Sequence, residues 1–205
     1  MAANNGSHSG LEGLSEKAYE IARRRQAAAL EVVTMLEDQY ESWFESSAAT
    51  VLHACAWLAG TSLYRSFGFD GAIEPGSPVL SDKPNEEGLK LLKVFMFLVD
   101  KDGIKLKPED FAVEIPPDKK PRRNILEVQE HFQRRYNEIM KSHEFDYLEG
   151  AKTGAVACAR LMKLHCLNRS DLKPPVAATI VSRGFVEGAK TAPARAAGET
   201  GTNGS

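Results

Sequence analysis

Five side chains of the types that ligate metals or act as nucleophiles fall on apolar-patterned segments: His53, Cys55, Cys158, His165 and Cys166. Imidazole nitrogen and thiolate sulfur bind zinc, and imidazole also binds haem iron. Cys158 and His165 are seven apart, so they share a helix face. His53 and Cys55 are two apart, which turns them about 200° from one another on a helix. Adjacent His165 and Cys166 diverge as well, and no CxxC pair accompanies them. Such spacing offers one ligand, haem or metal site, between helices at about 47–67 and 145–167, with His53, Cys55, Cys158 and His165 as its candidate ligands. The plainer reading makes the cysteines small core residues and leaves the histidines hydrogen-bonded in place. Neither reading names a cofactor. A ferritin-like di-iron site needs Glu-x-x-His on two helices, and no His of this chain has Glu three positions before it.

A second constellation is the basic run "KKPRR" at 119–123, in which Lys119, Lys120, Arg122 and Arg123 are candidates for binding an anion or polyanion. No further basic stripe or aromatic stacking platform accompanies it, so there is no clear nucleic-acid signature. A formal net charge of −2 adds no general pull toward nucleic acid or anionic membrane. "DKDGIKLKPED" has the look of a calcium loop. Setting Gly103 on the loop glycine, however, puts Leu98 where the first carboxylate belongs. Gly-x-Ser-x-Gly, a phosphate loop and Gly-x-Gly-x-x-Gly are all missing from the sequence. The chain therefore reads as a non-enzymatic structural or partner-binding module, with a protein partner or self-association expected.

The elements that would position these residues carry a repeat. Residues 145–153 read "FDYLEGAKT", 183–191 read "RGFVEGAKT", and 55–63 read "CAWLAGTSL". Each copy sits inside an expected helix, where Gly costs ~1 kcal/mol relative to Ala. Close approach of two helix backbones offsets that cost, so Gly60, Gly150, Gly154 and Gly188 are expected at crossings among the second, fifth and sixth helices. Were the fifth and sixth to cross at these glycines, Glu149 and Glu187 would converge. The simpler expectation pairs each with the Lys three residues on, Lys152 and Lys190.

Apolar spacing of three and four marks the remaining helices. A first helix opens near Ser15 and carries Ala29, Val32, Val33, Leu36, Tyr40, Trp43 and Phe44 on one face. The second, about 47–67, is apolar nearly all round and is expected to be the buried centre. Its parent stretch, Ser46 to Tyr64, lacks charge but consists mostly of Ala, Ser, Thr, Gly and Cys, so no membrane span is expected. Further helices fall at about 86–100, 124–142, 145–167 and 175–190, with a short helix opened by Pro108 between the third and fourth. The expected fold is all-α, a bundle of about six helices around a buried, small-residue-rich central helix. One domain spans 14–191, with a flexible leader over 1–13 and a flexible tail over 192–205. The segments 68–84 and 104–123 are long enough to be lids. Three cysteines, an odd count, argue against a disulfide framework and for a cytoplasmic location.

Overall fold

The small, uncharged residues after Ser46 form the hub around which the rest of the chain is wrapped. The computed structural model describes residues 8–69, 73–79 and 82–194, with side chains from Ser15 onward. It holds six α-helices: α1 (His8–Glu37), α2 (Ala48–Ser66), α3 (Lys83–Lys101), α4 (Ile125–Ser142), α5 (Tyr147–Lys163) and α6 (Pro174–Lys190). The expected all-α bundle of about six helices is borne out. Every residue of α2 from Ala48 to Tyr64 is buried. Among the described residues no helix is long and apolar enough to cross a membrane.

Helix α2 packs most extensively on α6 and α5, and small residues set how closely it does so. A methyl on Gly60 would lie 2.6 Å from the Phe185 carbonyl oxygen. One on Gly154 would lie 2.5 Å from Ala59 Cβ, and one on Gly184 2.6 Å from Ala56 Cβ. Gly150 is looser, since a methyl there meets the flexible Met140 side chain at 3.2 Å. Polar contacts fix the register of the remaining helices. Gln129 Nε2 of α4 donates to Thr61 Oγ1 of α2 at 2.8 Å, and Tyr136 Oη donates to the Gly150 carbonyl of α5 at 2.7 Å. Phe95 of α3 meets Phe185 of α6 edge to face.

Two expectations are corrected in detail, and one conditional alternative is set aside. Among the described residues the first helix runs from His8, before the expected start near Ser15, and ends at Glu37, so Tyr40, Trp43 and Phe44 are not helical. Beyond Glu37 the backbone tightens to bonds such as Gln39 N–H to Leu36 C=O and then widens to Phe44 N–H to Gln39 C=O. That path keeps the aromatic spacing while sending Tyr40 to His165 and Phe44 to Phe132, whose rings stack 5.2 Å apart. The fifth helix ends its α-helical part at Lys163 and continues as a π turn, Leu164–Asn168. Glu149 and Glu187 do not converge, because α5 and α6 each cross α2 and scarcely touch one another.

The segment after α3 carries the expected short helix as a 3₁₀ turn, Pro108–Phe111, with a second at Pro117–Lys119. It is strapped to the bundle: Val113 N–H donates to Thr179 Oγ1, and Arg122 N–H to Thr50 Oγ1. Residues 76–79 pair with 190–192 through three backbone hydrogen bonds and one isolated bridge, Pro78 to Thr191. Among the described residues there is no β-strand beyond that bridge. Of the expected leader and tail, residues 1–7 and 195–205 lie outside the described residues.

Candidate functional site

Helix α2 begins at Ser47, whose Oγ accepts from Thr50 N–H at 3.3 Å and from Thr50 Oγ1 at 2.7 Å. The first amides of a helix, here those of Ala48 and Ala49, have no intrahelical acceptor. Both residues line a cleft of about 300 Å³ together with Ser46, Ser47, Asp118, Lys119, Arg122, Ser170 and Asp171. Ser46 and Ser170 both hold left-handed backbone, with φ of 56° and 59°. Such conformations cost a non-Gly residue of the order of 1 kcal/mol or more and gather at functional sites.

The basic cluster supplies one wall, and it is partly spent. Arg122 Nη1 meets Glu45 Oε2 at 3.2 Å, and Arg123 Nη2 meets Glu45 Oε1 at 2.9 Å. Arg123 also lies over the Trp43 ring, 4.9 Å from its centroid. Lys119 lines the cleft with only a distant ion pair, 3.8 Å to Asp118. Lys120 is exposed and is not part of the lining. Of the four candidate cations, therefore, Lys119 and Arg122 reach the cleft.

Asp171, on the opposite wall, joins the cleft to a buried charge network. The π turn folds back so that Asp171 N–H donates to the His165 carbonyl at 2.8 Å. This places Asp171 Oδ2 2.9 Å from His165 Nδ1 and 3.3 Å from Tyr40 Oη, which donates to it. His165, fully buried, presents Nε2 to Glu37 Oε1 at 2.9 Å. A carboxylate only accepts, so both contacts are satisfied when both ring nitrogens carry hydrogen. Burial alone raises the pKa of Glu37. The His165 hydrogen bond and charge, with Arg169 2.7 Å away, outweigh that and hold it below the usual range. Burial and the Asp171 charge push the Tyr40 hydroxyl up. Burial and the same charge push the Cys166 thiol up to about 12.

The four proposed ligands are not brought together. His53 faces α6: its Nε2 lies 3.0 Å from Glu187 Oε2, and its ring stacks on Trp57 at 3.9 Å. Trp57 Nε1 donates to the same carboxylate oxygen at 2.8 Å. Cys55 faces α5, with Sγ 3.7 Å from the Gly154 carbonyl and the Cys158 thiol as its neighbour. Burial, and then the contact with Cys55, push Cys158 well above the usual thiol range. His165 sits beyond the end of α5, in the π turn. Among the described residues no three His, Cys, Asp or Glu side chains are placed to hold one metal ion. Glu37 and Asp171 do meet His165, but on different ring nitrogens.

Glu149 takes Lys152 at 2.6 Å, as its spacing suggests, and also Arg25 of α1. Glu187 turns instead to His53 and Trp57. Sequence reading missed Glu37, Tyr40, Arg169 and Asp171. Asp171 lies six residues past His165 and is within reach of local inspection, whereas Glu37, 128 positions away, carries no mark. No known protein family, curated protein or solved structure matches this chain.

Proposed function

We propose that the chain is a non-enzymatic helical binding module whose cleft at the start of α2 takes a small polar anion. One observation carries this reading: two cations, Lys119 and Arg122, share the lining of a cleft of about 300 Å³ with Ala48 and Ala49, the first residues of α2. Helix N-termini favour negative charge and present donors to it. Ser46, Ser47 and Ser170 add hydroxyls that suit a ligand carrying its own, such as a sugar phosphate or hydroxy acid. Two carboxylates also line the cleft: Asp171 is engaged by His165 and Tyr40, and Asp118 is largely exposed, 3.8 Å from Lys119. Glu45 occupies Arg122 and Arg123. These features favour a compact anion over an extended polyanion. His165 is fully buried with a carboxylate on each ring nitrogen, which leaves neither nitrogen open to a ligand. Three free, buried cysteines fit a reducing compartment.

The test is calorimetric titration at low salt with inorganic phosphate and then with sugar monophosphates. Saturable binding that falls about ten-fold in Arg122→Ala and Lys119→Ala supports the reading, in line with the loss of a charge-assisted hydrogen bond. Absence of saturable binding, or binding indifferent to both substitutions, overturns it.

A further inference from the structure

A second concavity lies away from this cleft and has the opposite character to the chain as a whole. Helices α1 and α3 both pack on α5, while α1 and α3 make little contact with each other. They stand as two walls over a floor of Val156 and Ala159, closed on the α3 side by Leu98, and the groove between them measures about 280 Å³. Three cations line it: Lys101 of α3 and Arg160 and Lys163 of α5. Asp102 is the one carboxylate in the lining and is held by Lys163 at 2.6 Å. The chain carries a net charge of −2, yet this groove carries an excess of two positive charges. Apolar side chains stand beside it on both walls. Leu30, one turn beyond the lining residue Gln26, is 53% exposed, and Phe97, beside Leu98, is 58% exposed. The Phe97 ring holds Lys101 Nζ at 4.5 Å from its centroid.

We infer that this groove docks an acidic amphipathic helix from a partner protein. Such a helix lays its apolar face into a groove between helices and reads it through anchors spaced three and four apart. Its apolar side chains would cover Val156, Ala159, Leu98, Leu30 and Phe97, and its carboxylates would meet Lys101, Arg160 and Lys163. Charge complementarity of this kind selects the partner and its orientation. A membrane surface is flat and does not reach a floor recessed between two helices. A second copy presenting the same groove face to face would set cations against cations. A competing role for the three cations exists, because they sit in the last turns of α3 and α5, where positive charge complements the helix dipole. That role requires no partner, and the experiment separates the two.

The probe is a fluorescein-labelled synthetic helix of about 18 residues, five turns, with a Leu face and a Glu face, followed by fluorescence anisotropy. Two controls have the same length: one with the Leu and Glu positions scrambled, one with Lys in place of Glu. The acidic amphipathic helix should bind the full chain, and both controls should bind at least about ten-fold more weakly. Arg160→Glu with Lys163→Glu should weaken binding about ten-fold or more. Phe97→Ala, an exposed position whose change leaves the core intact, should weaken it severalfold with an unchanged melting temperature. No binding, equal binding of all three peptides, or variants that lose thermal stability while binding undiminished would each overturn the inference, the last by leaving the cations their dipole role alone. Two further outcomes overturn it by reassigning the face. One is sedimentation with phosphatidylserine vesicles that the charge reversals abolish while the peptides show no preference. The other is a dimer in analytical ultracentrifugation that the charge reversals dissociate.

Discussion

Gly60 of α2 and Gly188 of α6 meet backbone to backbone: a methyl on Gly60 would lie 2.8 Å from Gly188 Cα, and one on Gly188 would lie 3.0 Å from Gly60 Cα. These are corresponding glycines of two copies of the sequence repeat, so the repeat is a pair of surfaces that fit each other. Gly60→Ala should destabilise by roughly 1–3 kcal/mol through overpacking, despite the ~1 kcal/mol that Ala gains as a helix former. Gly88→Ala in α3, where a methyl meets nothing within 4 Å, should stabilise by roughly 0.5–1 kcal/mol. Urea unfolding of both variants checks the contrast, and shifts of the same sign would contradict it.

Two of the carboxylates held below their usual range, Glu37 and Glu187, should contribute to acid stability. For Glu187, burial raises the pKa, and the hydrogen bond and charge of His53, the Trp57 N–H and Arg183 outweigh it. A carboxylate whose folded pKa is depressed stabilises the fold above its unfolded value, about 4.3 for Glu, and loses that contribution as pH falls through the folded value. Urea midpoints should therefore be insensitive to these two groups from pH 7 to about 5 and decline below about 4.3. Glu37→Gln should lower the midpoint at pH 7 and flatten the decline. An unchanged acid limb in that variant would remove Glu37 from the account.

The fold was legible where one physical signal dominated. Nineteen uncharged residues with few large aliphatics, Ser46 to Tyr64, admit a buried helix and little else. The end of α1 was illegible, because Tyr40, Trp43 and Phe44 keep helical spacing along a backbone that is no longer α-helical. The π turn at Leu164–Asn168 has no compositional mark, and it is the turn that brings Asp171 to His165. Lys119 and Arg122 stood out as members of a basic run. That Glu45 takes two of that run's arginines, and that α2 begins beside it, depend on contacts between residues more than 70 positions apart.

Tyr136 is fully buried, and its hydroxyl donates to the Gly150 carbonyl in the first turn of α5. Burial foremost, with the neighbouring Cys55 and Cys158, pushes its pKa well above the usual phenol range. Tyr136→Phe should cost about 1–2 kcal/mol, a buried hydrogen bond and its abandoned acceptor. In the wild type, raising the pH to about 11 should give no phenolate absorbance from this residue until the protein unfolds. A full complement of titrating tyrosines in the native protein would refute the burial.

The three thiols should resist alkylation in the native state. Cys55 and Cys158 are fully buried, and Cys166, nearly so, has a thiol pushed to about 12. The thiolate is the reacting species, so iodoacetamide at pH 8 should modify none of them within minutes and all three after denaturation. Rapid native labelling of Cys166 would show that the π turn opens.

The contact between Gly60 and Gly188 also has a consequence for synthesis. Its two halves are 128 positions apart in the chain. At about 5–20 residues per second, a ribosome needs roughly 6–25 s to make the second after the first. For that interval α2, the least charged segment of the protein, has no partner on its α6 face. Until α6 emerges, that nascent surface is one a chaperone has reason to hold.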